Sequence, residues 1–109
     1  MLAVFLIPTA RNPEDGGQLF AASEYSAWEA DLIDLFGGWT KVGGAAADTV
    51  KGAWLDKSGR LYLDVHNAYL VYVADISHTP VLALAADIAK ARFAQKSVTV
   101  IVNGDMHLL

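Results

Sequence analysis

The sequence contains no cysteine, and this excludes disulfide scaffolds and thiolate chemistry. It also lacks an excess of basic residues: eight Lys and Arg stand against twelve Asp and Glu, and the formal net charge is −4. Such a surface repels phosphate backbones and anionic lipid, and the basic residues are spread along the chain without forming a run. We therefore expect neither a nucleic-acid partner nor a membrane partner.

Long hydrophobic runs are missing as well. The apolar start, residues 2–7, has no charged segment before it and stops at Pro8. It is too short for a signal peptide and for a bilayer span. We interpret it as the first strand and expect a cytoplasmic protein.

What is present is the composition of a folded domain. The 109 residues suit a single α+β domain, 1–109, and 54% of them are hydrophobic. A chain of this length buries roughly two-thirds of the surface that it exposes when unfolded. The high hydrophobic fraction also excludes intrinsic disorder.

Two helices are predicted. The first begins near Ser23 as the N-cap, ends at Gly37-Gly38 and has one apolar stripe: Tyr25, Trp28, Leu32, Leu35, Phe36. Thr79-Pro80 is a strong start signal for the second helix. Its inner stripe is predicted to be Val81, Leu84, Ala85, Ile88 and Ala91, widened by Leu82, Ala89 and Phe93.

The remaining segments are typical of strands. Residues 39–42 alternate, and residues 51–55 and 60–66 flank a turn signal at 56–59, which favours a hairpin. Residues 43–47 are interpreted as a flexible connection and His66-Asn67 as a second turn. Residues 69–73 and 98–102 then form two further strands, the latter being the last.

This order favours a ferredoxin-like β-α-β-β-α-β sandwich, in which two helices cover one face of an antiparallel sheet and 51–66 is an elaborated central hairpin. An open parallel α/β fold is disfavoured because two helices would have to cover two faces.

Strands 2–7, 69–73 and 98–102 carry apolar side chains on both faces. The face without helices would then be exposed in a monomer. We therefore predict a homodimer through this face, with Phe5 and Tyr72 as candidate interface or ligand-binding residues. The alternative is that residues 43–50 or the C-terminal tail fold over it.

The most suggestive set of polar residues is Arg60, Tyr62, Asp64 and His66. Because side chains alternate along a strand, all four are expected on one face, where Asp64 can orient His66 as a base. The other interpretation is the solvated face of a hairpin strand. Trp54, next to a turn, is a further candidate for a pocket or an interface.

No cofactor or metal is predicted. Asp64 and His66, even with His78 or His107, lack any recognised ligand spacing. Gly37-Gly38 follows a helix, whereas a phosphate-binding loop follows a strand.

Three segments carry a resemblance: Phe36-Gly37-Gly38-Trp39-Thr40, Gly52-Ala53-Trp54 with Asp56 and Gly59, and residues 91–98. They resemble small uncharacterised bacterial proteins with a G-x-W hairpin and an RF-x-Q-x-S-V segment. The resemblance implies a ferredoxin-like or dimeric α+β fold and no catalytic residue. Arg92 and Gln95 have structural explanations at the end of the second helix.

Function stays open among three hypotheses. The first is a non-enzymatic homodimer that binds a small ligand at the sheet face or the dimer seam. The second is a cofactor-free enzyme of the dimeric α+β barrel type, with His66 as base, Asp64 orienting it, and Tyr62 or Arg60 polarising the substrate. The third is a protein-interaction module.

Overall fold

An antiparallel sheet with two helices on one face forms the framework of the chain in a computed structural model. The structure describes residues 1–42, 50–55, 57–59, 61–73 and 79–109, so the predicted connection at 43–47 lies outside the described residues. A 3-10 turn, Pro13–Asp15, precedes the first helix. The elements in chain order are β1 (Leu2–Pro8), α1 (Ala22–Phe36), β2 (Thr40–Val42), β3 (Val50–Leu55), β4 (Leu61–Tyr72), α2 (Thr79–Arg92), β5 (Thr99–Val102) and β6 (Asp105–Leu108).

The strand order confirms the predicted fold class. The order in the sheet is β2-β4-β1-β5-β6, with β3 paired to the first half of β4, and every described pairing is antiparallel. If β2 and β3 are counted together as the second strand, β5-β1-β4-β2 is the order of a ferredoxin-like sandwich. The parallel α/β alternative is therefore wrong.

Strand β4 is longer than the sequence indicated. Residues 60–66 and 69–73 were expected as two strands with a turn at His66-Asn67, but Leu61–Tyr72 is continuous. Its first half pairs with β3, and its second half pairs with β1 and β2. Asn67 lies opposite Ile7 and is only 4% exposed. A buried position held by cross-strand pairing overrides the local turn preference of asparagine.

The chain continues past the predicted last strand. Asn103 and Gly104 have φ values of 51° and 84°, and β6 follows them and pairs with β5. Two adjacent residues with positive φ are the requirement of the two-residue type I′ turn, for which Asn-Gly is the preferred sequence. Taking residues 98–102 as the last strand was therefore wrong, although the turn signal was present.

Helix α1 starts one residue before the predicted cap, so Ser23 is not the N-cap. Glu24 Oε2 accepts a hydrogen bond from the Ala21 amide at 2.7 Å, and its Oε1 accepts one from Arg11 Nη2 at 2.8 Å. A carboxylate three residues after the cap satisfies a free amide and suits the positive end of the helix dipole. The end at Gly37 is confirmed, with φ 83°.

Helix α2 is rotated relative to the predicted stripe. Leu82, Ala85, Ala86 and Ala89 are buried, whereas Leu84 is 49% exposed and Ala91 is also exposed. A helix that is apolar almost all round has no unique stripe, and small alanines permit the closest approach to its neighbours. The face that carries the alanines therefore packs against the rest of the protein.

Aromatic side chains fill the space between the helices and the sheet. Phe5 and Trp28 meet edge to face with ring centroids 5.6 Å apart, and Phe20 meets Phe93 in the same way at 5.0 Å. Such pairs contribute about 0.5–1.5 kcal/mol beyond their buried area. Trp28 is confirmed as a core residue. The prediction of Phe5 as an interface residue is wrong, because Phe5 is fully buried under the helices of its own chain.

The last turn of α2 is held by side chains. Arg92 pairs with Asp31 on α1, and Gln95 Nε2 donates to the Phe93 carbonyl at 2.8 Å. The hydrogen bond to Asp31 raises the pKa of Arg92, so the guanidinium stays charged. The proposed roles of Arg92 and Gln95 at the helix end are structural, as expected, and Arg92 also links the two helices.

We predict that Ala94→Gly stabilises the protein. Ala94 has φ 49° where α2 ends, and the Gln95 amide donates to the Lys90 carbonyl around it. Glycine adopts this left-handed conformation without a Cβ penalty, so the free energy of unfolding should rise by about 0.5–1 kcal/mol. Urea denaturation measures it.

The matched control is Ala83→Gly, at an exposed position inside the same helix. There glycine should lower the free energy of unfolding by about 1 kcal/mol. Destabilisation by both substitutions would contradict the proposed strain at Ala94.

Candidate functional site

One face of the sheet is left uncovered in the described part of the chain. Ala3, Phe5 and Ile7 of β1 face both helices and are fully buried, so the alternate residues face the other way. Cross-strand pairing of β1 with β4, and of β5 with β6, continues this face across the sheet. We call it the open face, and its apolar residues include Leu2, Val4, Leu6, Val42, Ala68, Leu70, Tyr72, Ile101, Met106 and Leu108.

Several of these side chains are largely exposed. The exposed fraction is 70% for Tyr72, 67% for Met106 and 71% for Leu108, and Leu2 opposite Tyr72 is 51% exposed. Single exposed apolar residues are ordinary, but a contiguous group marks an interaction surface. The predicted second apolar face therefore exists, and Tyr72 lies on it.

The C-terminal tail does not cover the open face. It forms β6, which pairs edge-on with β5, and the amide and carbonyl of Leu109 bond to Val98. The tail therefore extends the sheet instead of crossing it, and this alternative is wrong. Of residues 43–50, the other proposed cover, 43–49 lie outside the described residues and Val50 belongs to β3.

Three of the four residues of the predicted polar set belong to β4. Tyr62, Asp64 and His66 stand at alternate positions of β4, in the same alternation as Leu70 and Tyr72. Tyr62 is in register with Trp54, and His66, which is half-buried, pairs with both Val50 and Pro8. Arg60 lies outside the described residues, as do the side chains of Tyr62, Asp64 and Trp54.

Beyond His66, β3 and β4 continue as a two-stranded arm. In the described residues β3 pairs with β4 alone. On the helix side of this arm, Leu61 is 58% exposed and Val65 is 38% exposed. A two-stranded ribbon buries little surface by itself. The arm therefore offers apolar side chains beyond the reach of the two helices.

A second group of polar residues lies on the helix side, between α1 and β2, and was not found from the sequence. Lys41 pairs with Tyr69, and its Nζ lies 5.4 Å from the centroid of the Tyr69 ring and 4.8 Å from that of Tyr25. The Trp28 ring lies 6.2 Å from that of Tyr69. Trp28 Nε1 and the Tyr69 hydroxyl are buried and have no hydrogen-bond partner among the described residues. We call Trp28, Lys41 and Tyr69 the donor cluster.

Burial raises the pKa of Tyr69 well above its usual range, and the negative charge of Glu29 and the nearby Tyr25 add to the effect. Burial also raises the pKa of Tyr25, whereas a hydrogen bond with Asn67 lowers it and the charge of Glu24 raises it. The Tyr25 hydroxyl donates to the Pro8 carbonyl at 3.0 Å. Both phenols are therefore held in their neutral, hydrogen-bond-donating form.

The described residues contain no group of three or more His, Asp or Glu side chains placed to hold a metal ion. In the same part of the chain, neither helix has the length and apolar character that crossing a bilayer requires.

Comparisons with known proteins add a structural likeness. No protein-family model matches the chain, and no curated protein matches it. Two solved structures of a phage SAM lyase are similar, each 13% identical in sequence. The apo structure has a TM-score of 0.68 over 99% of this chain and 86% of the lyase chain. The complex with S-methyl-5′-thioadenosine has a TM-score of 0.65 over 99% and 87%. At this identity the likeness shows a shared fold.

We predict that stability falls in alkaline solution because of Tyr69. The folded-state pKa of Tyr69 lies above the ordinary value of 10.0, so the unfolded chain loses this proton at a lower pH than the folded chain does. The contribution of neutral Tyr69 to the free energy of unfolding is therefore complete below pH 10 and is lost as the pH rises toward the folded-state pKa. Over that interval the free energy of unfolding should fall by about 1.4 kcal/mol per pH unit for this group. Urea denaturation across this range measures the slope.

The matched variant is Tyr69→Phe, which removes an unpaired hydroxyl. At neutral pH it should be at least as stable as the wild type, with a gain of up to about 1 kcal/mol, and its alkaline slope should be shallower. Equal slopes for the two proteins would contradict the assignment to Tyr69.

Proposed function

We propose that the chain is a small-molecule-binding domain that works as a homodimer, with the open face as both the dimer seam and the ligand site. The observation that carries the proposal is the contiguous, uncovered apolar surface around Tyr72 and Leu2. One end of this surface carries the polar positions of β4. Apolar walls with a few polar groups are the usual composition of ligand sites.

A second copy of the chain is the best candidate to cover this face. Apart from His66, the side chains described on it are uncharged, while the protein carries a net charge of −4. Two negatively charged copies repel each other, and this repulsion is smallest when the contact surfaces themselves are uncharged. A two-fold interface uses the same patch on both copies, and an uncharged apolar patch is self-complementary.

The ligand class that we propose is a nucleoside thioether or the related sulfonium. The support is the likeness in fold to a phage SAM lyase solved with S-methyl-5′-thioadenosine. Tyr72 offers an exposed aromatic ring on which an adenine can stack. The acidic character of the chain favours a cationic sulfonium, which aromatic faces also attract.

We also propose kinship with the small bacterial proteins that share the G-x-W and RF-x-Q-x-S-V segments. The support is that this last segment has a defined place in the fold. Phe93 is fully buried, Arg92 binds Asp31, and Gln95 satisfies a carbonyl at the end of α2.

The dimer is tested by light scattering coupled to size exclusion. The wild type should have twice the 11.7 kDa mass of the chain, and Tyr72→Glu should have the monomer mass, because a buried carboxylate without a partner is strongly unfavourable. The matched control, Leu84→Glu, adds the same charge at an exposed apolar position of α2 and should stay dimeric. A wild type that is monomeric at micromolar concentration overturns the dimer.

The ligand is tested by calorimetric titration with S-methyl-5′-thioadenosine and S-adenosylmethionine. Tyr72→Ala should weaken binding by about tenfold or more, since stacking of a base on an aromatic ring contributes about 1–3 kcal/mol. Leu84→Ala, on the helix side, should bind as the wild type does. If neither compound binds to the wild type, the proposed ligand class is wrong.

The second candidate is a cofactor-free enzyme acting at the same face. It is favoured because the structural neighbour is an enzyme and because Tyr62, Asp64 and His66 share one side of β4. In this proposal His66 is the base and Asp64 orients it, with Tyr62 or Arg60 polarising the substrate.

We predict that, if the chain is an enzyme, His66 removes a proton from Cβ of the methionyl group of S-adenosylmethionine while the Cγ–S bond breaks. Chromatography should then find S-methyl-5′-thioadenosine and the unsaturated four-carbon amino acid in equal amounts. His66→Ala should then lower kcat by about 10²-fold or more, the usual contribution of a positioned base. Binding of the product, measured separately, should be affected much less. Turnover that is unchanged in both His66→Ala and Asp64→Ala would remove the support for this candidate.

A further inference from the structure

We propose that the donor cluster on the helix side of the sheet is a binding site for a small monocarboxylate. The carboxylate oxygens would accept hydrogen bonds from Trp28 Nε1 and the Tyr69 hydroxyl and pair with the ammonium of Lys41. The site lies on the opposite side of the sheet from Tyr72, so the proposal does not depend on the open face or on its ligand.

The first observation is the pair of unsatisfied groups. Trp28 and Tyr69 are each fully buried, and their polar atoms have no partner among the described residues. Most buried polar groups in folded proteins are hydrogen-bonded, and leaving one unpaired costs about 1–3 kcal/mol. The rings of the two side chains are in edge-to-face contact. Two adjacent exceptions therefore indicate a missing acceptor.

The second observation is the place of Lys41. Its Nζ lies over the rings of both Tyr25 and Tyr69, and no carboxylate of the described residues lies within ion-pair distance of it. A lysine side chain on an edge strand normally extends into water. Here its positive charge lies beside the ring of Tyr69, one of the two buried donors. Both Lys41 and Tyr25 are half-buried, so they lie between solvent and the buried Tyr69 ring.

The chemistry selects an acceptor of one negative charge. All three groups can donate, and two of them, the ammonium and the indole, cannot accept. The raised pKa keeps the Tyr69 hydroxyl protonated and therefore able to donate. Lys41 supplies a single positive charge, and the carboxylate of Glu29 acts on Tyr69 from nearby. The two negative charges of a phosphate dianion would be repelled by Glu29, and the single positive charge of Lys41 would not balance them. A carboxylate matches both the donors and the charge.

Ordered water is the competing explanation, because buried water commonly bridges unsatisfied groups. Water satisfies Trp28 and Tyr69 but does not require Lys41. The two explanations therefore differ in how binding depends on Lys41 and in whether the site saturates with a carboxylate.

The test follows the indole proton of Trp28 by proton–nitrogen NMR during titration with sodium acetate. Trp39→Phe and Trp54→Phe assign the other two of the three tryptophans. Acetate should shift the Trp28 signal downfield to saturation, whereas sodium chloride at equal ionic strength should not. Lys41→Met should weaken acetate binding at least tenfold, and Lys96→Met, at an exposed position beyond α2, should leave it unchanged.

Tyr69→Phe separates a binding site from a packing defect. It should weaken acetate binding as Lys41→Met does, while its thermal midpoint stays equal to or above that of the wild type. The proposal is overturned if acetate produces no saturable shift, if chloride produces the same shift, or if Lys41→Met binds acetate normally. A Trp28 indole proton that contacts a long-lived water and ignores acetate would assign the cluster to buried water.

Discussion

The antiparallel register between β1 and β4 is the constraint on which the rest of the structure depends. By pairing Phe5 with Tyr69 and Ile7 with Asn67, it decides which residues of the two central strands face the helices. Because side chains alternate, the same register sends Leu2 and its partner Tyr72 to the opposite face. A shift by one residue would exchange the core for the open face, so the aromatic contacts of Phe5 and Trp28 also hold the register.

Both candidate sites, the open face and the donor cluster, follow from that alternation of side chains. The open face collects the alternate residues that the helices do not reach. It is apolar around Tyr72 because β1 and the last residues of β4, 68–72, are apolar. The donor cluster arises on the covered face, at the edge where β2 is short and Tyr25 of α1 lies against Lys41. Two chemically different candidate sites thus lie on opposite sides of one sheet.

Prediction from the sequence succeeded where the local sequence pattern was strong. It failed where pairing between distant strands determined the local structure. The stripe around Trp28, the end of α1 at Gly37 and the strand at 2–7 have clear periodicity or a glycine requirement, and the structure confirms them. The supposed turn at His66-Asn67 failed because long-range pairing holds Asn67 inside a strand. The stripe of α2 failed because several faces of that helix are equally apolar.

By itself, the sequence determined an α+β domain with two helices on a sheet whose central strands are apolar on both sides, since periodicity and composition are local properties. Only the tertiary structure decided that Phe5 belongs to the core and Tyr72 to the open face, because that choice depends on register. The donor cluster is likewise tertiary. Trp28, Lys41 and Tyr69 are far apart in the chain, and their proximity exists only once β2 has paired with β4 beneath α1.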